Sequence, residues 1–216
     1  MKAIIVTKYG GPDVLRVQEV PTPTPNDNEV LIKIHAAGIN HTDPVFRKGK
    51  PLISRLFTGL LRPKHSIPGD VLAGEIVEKG ESVKRFNIGE RVFGYSTDTL
   101  GAHAEYKCLP DDSAIINMPE YITYEAAAGI VDGGHTALVF LRDKGNVGSK
   151  QKILIYGASG SVGTAAIQIA LIHGAEVTGV CSTRNMEMVK SLGAKRVIDY
   201  TKSDFTQENE RYDIIF

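Results

Sequence analysis

The sequence predicts an α/β plus β chain, a β-rich first part followed by half of a doubly wound parallel α/β domain. Three observations predict it. Residues 152–163, KILIYGASGSVG, read as a buried strand running into a glycine turn. The run TAAIQIALIHGA after it has helical periodicity, and a further apolar stretch, Glu176 to Val180, stands where the next parallel strand is expected. Before about Tyr121 the chain shows short apolar runs separated by glycine, proline and polar turns, the pattern of a compact, partly closed β domain. The expected division is residues 1–121 and 122–216.

Within the first part, Lys2–Thr7 is an expected strand closed by Gly10, Gly11 and Pro12, and Val14–Val20 a second with partial period-2 alternation. The prolines of PTPTPND, Pro21 to Asp27, lack the N–H that a sheet interior requires, so this stretch reads as a stiff connector. Val30–Ala36, Val71–Glu78, Glu90–Tyr95 and Ala102–Leu109 are the remaining expected strands. Between them, Lys48–His65 places Leu52, Ile53, Leu56, Phe57, Leu60 and Leu61 at helical spacing, with Arg55, Arg62, Lys64 and His65 as a basic rim. The plainer expectation is an amphipathic segment packed on the core. The functional one is a lid over an apolar substrate or a contact with a membrane surface.

From Tyr121 the composition turns helical. Thr123 is an expected N-cap with Glu125 in the first turn, and Gly133–Gly134 are expected to separate that helix from another, His135–Asp143. After the glycine turn, Arg184–Leu192 reads as a helix closed by Gly193, Arg196–Asp199 as a third parallel strand, and Asp213–Phe216 as the start of a fourth. A complete doubly wound domain has six strands. The sequence is therefore expected to be a piece of a longer protein, or one whose last strand edge a partner chain covers.

Lys plus Arg and Asp plus Glu both number 25, which gives no basic surplus for nucleic acid or a membrane surface. Two cysteines without metal-like spacing, Cys108 and Cys181, suggest reduced thiols and a cytoplasmic setting. No stretch is long enough to span a membrane.

The glycine turn carries the chemistry. In strand–GASGSVG–helix, Gly160 lets backbone approach a pyrophosphate, Gly163 lets helix and strand pack closely, and free N–H groups at the helix start favour negative charge. Ser159, Gly160, Ser161, Val162 and Gly163 are the candidate contacts. Ala158 stands where the pattern has its first glycine. The alternative is a glycine turn that binds no nucleotide. An NAD site places an acid after the second strand to accept from the ribose 2′-hydroxyl. Here Cys181, Ser182, Thr183 and Arg184 follow, with no acid, and Ser182 with Arg184 suits the 2′-phosphate of NADPH. The plain reading of Arg184 is a solvated arginine at a helix start.

AAGINHTD (36–43), AGEIVEKGESVKRFNIGERVFG (73–94), AHAEY (102–106), the pair Thr136–Ala137 and GASGSVG together resemble the medium-chain dehydrogenase/reductase superfamily, in its zinc-independent branch of quinone oxidoreductases and enone reductases. The resemblance runs over essentially the whole chain. It implies a GroES-like β domain followed by a Rossmann domain, a cofactor between them and a homodimer. It also implies Thr136 near the nicotinamide and Tyr200 near the adenosine end. Relatives commonly carry a lysine where this chain has Met186, so Arg184 has to serve in its place. Zinc relatives have a cysteine in the AGIN segment and Gly-His-Glu where this chain has Gly69, Asp70 and Val71. His35, His41, Asp43, His65 and Asp70 match no standard metal spacing, so no metal is expected. Short-chain reductases are disfavoured because no Tyr-x-x-x-Lys pair occurs.

Without zinc to stabilise an alkoxide, the accessible chemistry is hydride delivery from NADPH to an electrophile such as a quinone or α,β-unsaturated carbonyl. Asn40 is the candidate donor to the developing enolate oxygen, since an amide donates without titrating. Its plain role would be to cap a loop after a strand. The rival reading is a nucleotide-binding protein without catalysis.

Overall fold

The computed structural model describes residues 1–96, 99–207 and 209–216. Its contacts divide the chain into two compact units, Met1–Val131 and Asp132–Phe216.

In the first unit β1 (Lys2–Ile5) pairs antiparallel with β2 (Arg16–Glu19). The second strand starts later than its alternation suggests, because Pro12–Val14 closes as a 3-10 turn with Leu15 N bonded to Pro12 O. Next come β3 (Glu29–Ala37), α1 (Thr42–Lys48), α2 (Arg55–Thr58), β4 (Val71–Lys79), β5 (Arg91–Tyr95), β6 (Tyr106–Pro110) and β7 (Ile115–Asn117). Five of these strands form an antiparallel sheet in the order β6-β3-β4-β5-β7. Only the second half of the expected strand Ala102–Leu109 joins that sheet; Ala104 instead bridges Ala3. The inward residues Val30, Ile32, Leu72, Ile76, Phe86, Val92 and Ile115 build the core. Each of the large ones contributes about 1.5–3 kcal/mol.

The segment Lys48–His65 does not lay an apolar face on this core. Leu52–Ser54 and α2 bury Ser54 and Thr58 and leave Leu52, Ile53, Leu56, Phe57, Leu60 and Leu61 exposed. Periodicity fixes which side chains share a face, but not which face turns inward.

One helix, α3, runs from Tyr124 to Leu138 across the division between the units. Thr123 caps it through Ala126 N at 3.2 Å. The expected break at Gly133–Gly134 does not occur. Gly133 is buried where a Cβ would meet the side chain of Ser161 and its carbonyl oxygen at 2.6 Å, so the glycine permits close packing instead of ending the helix. The chain winds on as a π-helical segment, Val139–Lys144, that buries Leu141.

In the second unit β8 (Lys152–Tyr156), α4 (Ser161–Ile172), β9 (Glu176–Cys181), α5 (Met186–Ser191), β10 (Arg196–Asp199) and β11 (Ile214–Ile215) follow. A 3-10 turn, Thr183–Asn185, occupies the start of the expected helix Arg184–Leu192. The sheet is parallel in the order β10-β9-β8-β11. Ile153 and Ile155 pack with Ile167 and Val177 in one cluster, while Leu154 joins Val180 and Ile198 in another. Both faces of β8 are thus covered, which is why its sequence is an unbroken apolar run.

Two glycines of α3 provide a matched test of these packing arguments. Gly133→Ala should lower stability by about 1–3 kcal/mol in urea unfolding, since Ser161 cannot withdraw its backbone. Gly129→Ala, whose Cβ meets nothing within 4 Å, should be neutral or gain up to about 1 kcal/mol from helix propensity.

Candidate functional site

The glycine turn lies where strand order reverses, since β9 flanks β8 on one side and β11 on the other. In open α/β sheets, ligands bind beyond the strand ends at that position. Gly157 has φ +75°, a conformation that side chains disfavour. A Cβ on Gly163 would collide with Gly157 O and sit 2.8 Å from Ala158 Cα, so helix α4 is seated directly on the turn. Ala158 is fully buried, and its Cβ is accommodated because Gly179 of β9, where a Cβ would lie 3.1 Å away, has none. Gly157 N and Ala158 N both donate to Val180 O, at 3.1 and 3.0 Å. The departure from the glycine pattern at Ala158 is therefore met by a glycine on the neighbouring strand.

Gly160 is the N-cap of α4 and supplies no side-chain cap. A Cβ there would be 3.4 Å from Gly157 O, an ordinary contact, so nothing among the described residues demands glycine at this position. The first bond of the helix runs from Thr164 N to Gly160 O at 2.9 Å. The N–H groups of Ser161, Val162 and Gly163 precede it and have no acceptor inside the helix. This cradle fits a pyrophosphate: N–H groups without an acceptor inside the helix, at the positive end of a 12-residue helix.

The loop after β9 is tied to the turn and to β10. Asn185 Nδ2 donates to Ser159 Oγ at 3.0 Å and to Ser182 Oγ at 3.4 Å. Thr183 Oγ1 makes a short hydrogen bond to Asp199, which also accepts from Thr201 N at 3.0 Å and Thr201 Oγ1 at 2.7 Å. These hydroxyls, Thr183 first, hold the Asp199 carboxyl down at about 2. Arg184 is exposed, and its guanidinium meets no acceptor among the described residues. Tyr200 and Tyr156 form a half-exposed aromatic pair, with ring centroids 6.4 Å apart and Phe205 beside Tyr156 at 5.7 Å. Thr136 is half-buried on α3, one turn beyond the contact of Gly133 with Ser161. The second unit thus ties Ser182 to Ser159 of the glycine turn through Asn185, while Arg184 is placed only on the same loop, in the 3-10 turn Thr183–Asn185. The roles of Asn185, Thr183 and Asp199 do not show in the sequence, where only the Asp199-Tyr200-Thr201 spacing hints at a side-chain turn.

Asn40 belongs to the first unit. Its Oδ1 accepts from Thr42 N at 2.9 Å and Thr42 Oγ1 at 2.5 Å, which is the loop-capping role, and its Nδ2 donates to Asp70 Oδ1 at 3.0 Å. Asn40 N donates to Asp43 Oδ2 at 2.8 Å. An amide nitrogen carries two hydrogens, and one of them is left without an acceptor among the described residues. Asp70 is 7% exposed, and burial, reinforced by Asp43, pushes its carboxyl above the ordinary value. His35 stacks on Tyr124 at 4.4 Å.

The alcohol dehydrogenase GroES-like domain model matches residues 26–145, and the zinc-binding dehydrogenase model residues 161–212. This chain belongs to the medium-chain dehydrogenase/reductase superfamily, in its quinone oxidoreductase branch. A chloroplastic quinone-oxidoreductase homolog of Spinacia oleracea is 39% identical over 209 residues, 93% of this chain and 61% of that one. Quinone oxidoreductase from Coxiella burnetii superposes with a TM-score of 0.89 at 34% identity, covering 100% of this chain and 67% of that one. Escherichia coli quinone oxidoreductase complexed with NADPH gives 0.82 at 30% identity, covering 94% and 60%. The chain spans about 61% of the length of the first of these relatives. Its architecture is thus a GroES-like domain plus a Rossmann-type parallel sheet. Although one family model carries zinc in its name, no three His, Cys, Asp or Glu side chains converge as a metal site among the described residues.

Asp70 gives a test of the network around Asn40. A carboxyl raised by folding contributes its stability at low pH and loses it as pH climbs through the folded value. Asp70→Asn should therefore be more stable than the parent at pH 7. That advantage should shrink away as pH falls below about 4 in urea unfolding measured across pH.

Proposed function

We propose that this protein reduces an electrophilic acceptor, a quinone or an α,β-unsaturated carbonyl, with a hydride from NADPH and without zinc. The observation that carries the reading is the open N-terminus of α4 at the switch point of the sheet, with an arginine on the adjoining loop that meets no acceptor among the described residues. The N–H groups of Ser161, Val162 and Gly163 receive the pyrophosphate. Ser182 and Arg184 take the 2′-phosphate, the hydroxyl as one donor and the guanidinium as a bidentate cation. Tyr200 flanks the adenosine end, and Thr136 orients the nicotinamide end. NADPH supplies the hydride.

On the acceptor side, Asn40 donates its remaining amide hydrogen to the oxygen on which negative charge develops. Its other three contacts, to Asp70, Thr42 N and Thr42 Oγ1, fix the amide plane beforehand, so little reorganisation is needed as the charge appears. A cytoplasmic homodimer completes the reading. The two unpaired thiols, Cys108 half-buried and Cys181 buried, suit a reducing compartment, and the dimer follows from the family resemblance.

A fluorescence titration of the full-length protein with NADPH and with NADH in parallel tests the cofactor. NADPH should bind more tightly, and Arg184→Ala should weaken NADPH by about tenfold or more while leaving NADH unchanged, the loss expected of one charge-assisted contact. Tighter binding of NADH by the parent would sink the assignment of Arg184.

The donor role of Asn40 is separable from its structural one. Asn40→Ala should lower kcat on a quinone by about 10²-fold with a much smaller change in KM. An unchanged kcat in a variant that still folds would reduce Asn40 to a loop cap.

A further inference from the structure

The segment between α1 and β4 is built inside out. Ser54 and Thr58, one helical turn apart, face inward, with Thr58 Oγ1 3.1 Å from Ser54 O and 2.8 Å from the Tyr9 hydroxyl, which also reaches Gly59 O. Arg55 is occupied in holding the segment down, its Nε 3.1 Å from Gly49 O and its guanidinium 4.5 Å above the Tyr9 ring. The outward positions are the apolar ones: Leu52, Ile53, Leu56, Phe57, Leu60 and Leu61 are each at least 66% exposed. A soluble surface rarely leaves so many large side chains together without a partner.

The surrounding charge says what kind of partner. From Pro44 to Gly69 the sequence holds no Asp or Glu, although the whole chain has as many acids as bases. Lys48, Lys50, Arg62 and Lys64 stand within that stretch, with Lys50 and Arg62 exposed. Gly59, at φ +116°, turns the chain back so that Lys64 N bonds to Thr58 O at 2.6 Å, which returns Arg62 and Lys64 to the side of α2. An apolar face whose own segment carries cations and no acid matches an anionic lipid surface, where side chains enter the acyl boundary and cations meet headgroup phosphates. A two-fold contact with a second copy would set these cations against their own kind.

We propose that residues 52–61 dock this protein peripherally on anionic membranes, inserting Leu52, Ile53, Leu56, Phe57, Leu60 and Leu61 while Lys48, Lys50, Arg62 and Lys64 engage the lipid phosphates. Among the described residues no helix is long and apolar enough to cross a membrane, so the attachment is interfacial. It stands independently of the catalytic reading.

The test is flotation of the full-length protein with phosphatidylcholine vesicles, with and without phosphatidylserine. Binding is expected on the anionic vesicles and should fall by about tenfold or more on neutral ones or in high salt. The double variant Leu56→Ser/Phe57→Ser should abolish it while leaving NADPH affinity and melting temperature unchanged. Should that variant fold poorly, Arg62→Glu/Lys64→Glu, on the basic edge of the face, should still cut binding by about tenfold. Absence of binding to anionic vesicles, or binding that both double variants leave intact, overturns the proposal. So does a dimer that only Leu56→Ser/Phe57→Ser dissociates, which would make a second copy the occupant. Phe57 and Thr58 also line a cavity of about 300 Å³ with Phe46, Arg47 and His65. If the same variants alter KM and leave vesicles unbound, the segment is a lid over that cavity and the proposal also fails.

Discussion

The second unit depends on one close approach, that of α4 to the turn at Gly157. A Cβ at residue 163 would occupy the space of Gly157 O, so the helix can sit at the end of β8 only because residue 163 has none. That seating fixes the start of α4, and with it where the unbonded N–H groups point. Val180 O, by accepting from Gly157 N and Ala158 N, then joins the turn to β9. Gly179 makes room for Ala158, and Gly133 makes room for Ser161. Three glycines on three elements thus serve one packing problem, and the open N-terminus of α4 is its by-product.

In the first unit, hydrogen bonds from both sides hold the Asn40 amide in place. Asp70 is costly as an ion where it lies, since burial raises its carboxyl and Asp43 adds to the effect. What it provides is an acceptor on one side of the Asn40 amide while Thr42 supplies donors to the other. A residue held by three hydrogen bonds cannot rotate its free N–H away without breaking them.

How much of this is legible in the sequence follows from the range of each interaction. The strand, turn and helix of KILIYGASGSVG are readable because their constraints lie within a dozen residues. The capping of a loop by Asn40 is readable for the same reason; its bond to Asp70, thirty residues away, is not. Helix α1 and strand β7 also escape a reading of the sequence. The strand has only three residues, which cannot establish a period, and it exists because it pairs with β5. Gly133–Gly134 reads as a break because propensity penalises glycine in helices by about 1 kcal/mol, and only the packed partner Ser161 outweighs that penalty. In Lys48–His65 the apolar spacing is correct and the direction inverted, since sequence periodicity carries no information about which face a fold will cover.

The environment of Asp199 bears on cofactor choice in a way no motif does. A carboxylate beside the loop after β9 would ordinarily favour a ribose 2′-hydroxyl and repel a 2′-phosphate. Here its oxygens are already taken, by Thr183 Oγ1 on one side and by Thr201 N and Oγ1 on the other, with Lys202 Nζ 3.7 Å away. The depressed carboxyl, at about 2, reports that commitment. An acid spent on holding its loop in place is a poor acceptor for a new hydroxyl, and part of its charge is offset by the donors around it. Arg184, two residues from Ser182, meets no acceptor among the described residues, and a guanidinium in that condition is best matched by an anion.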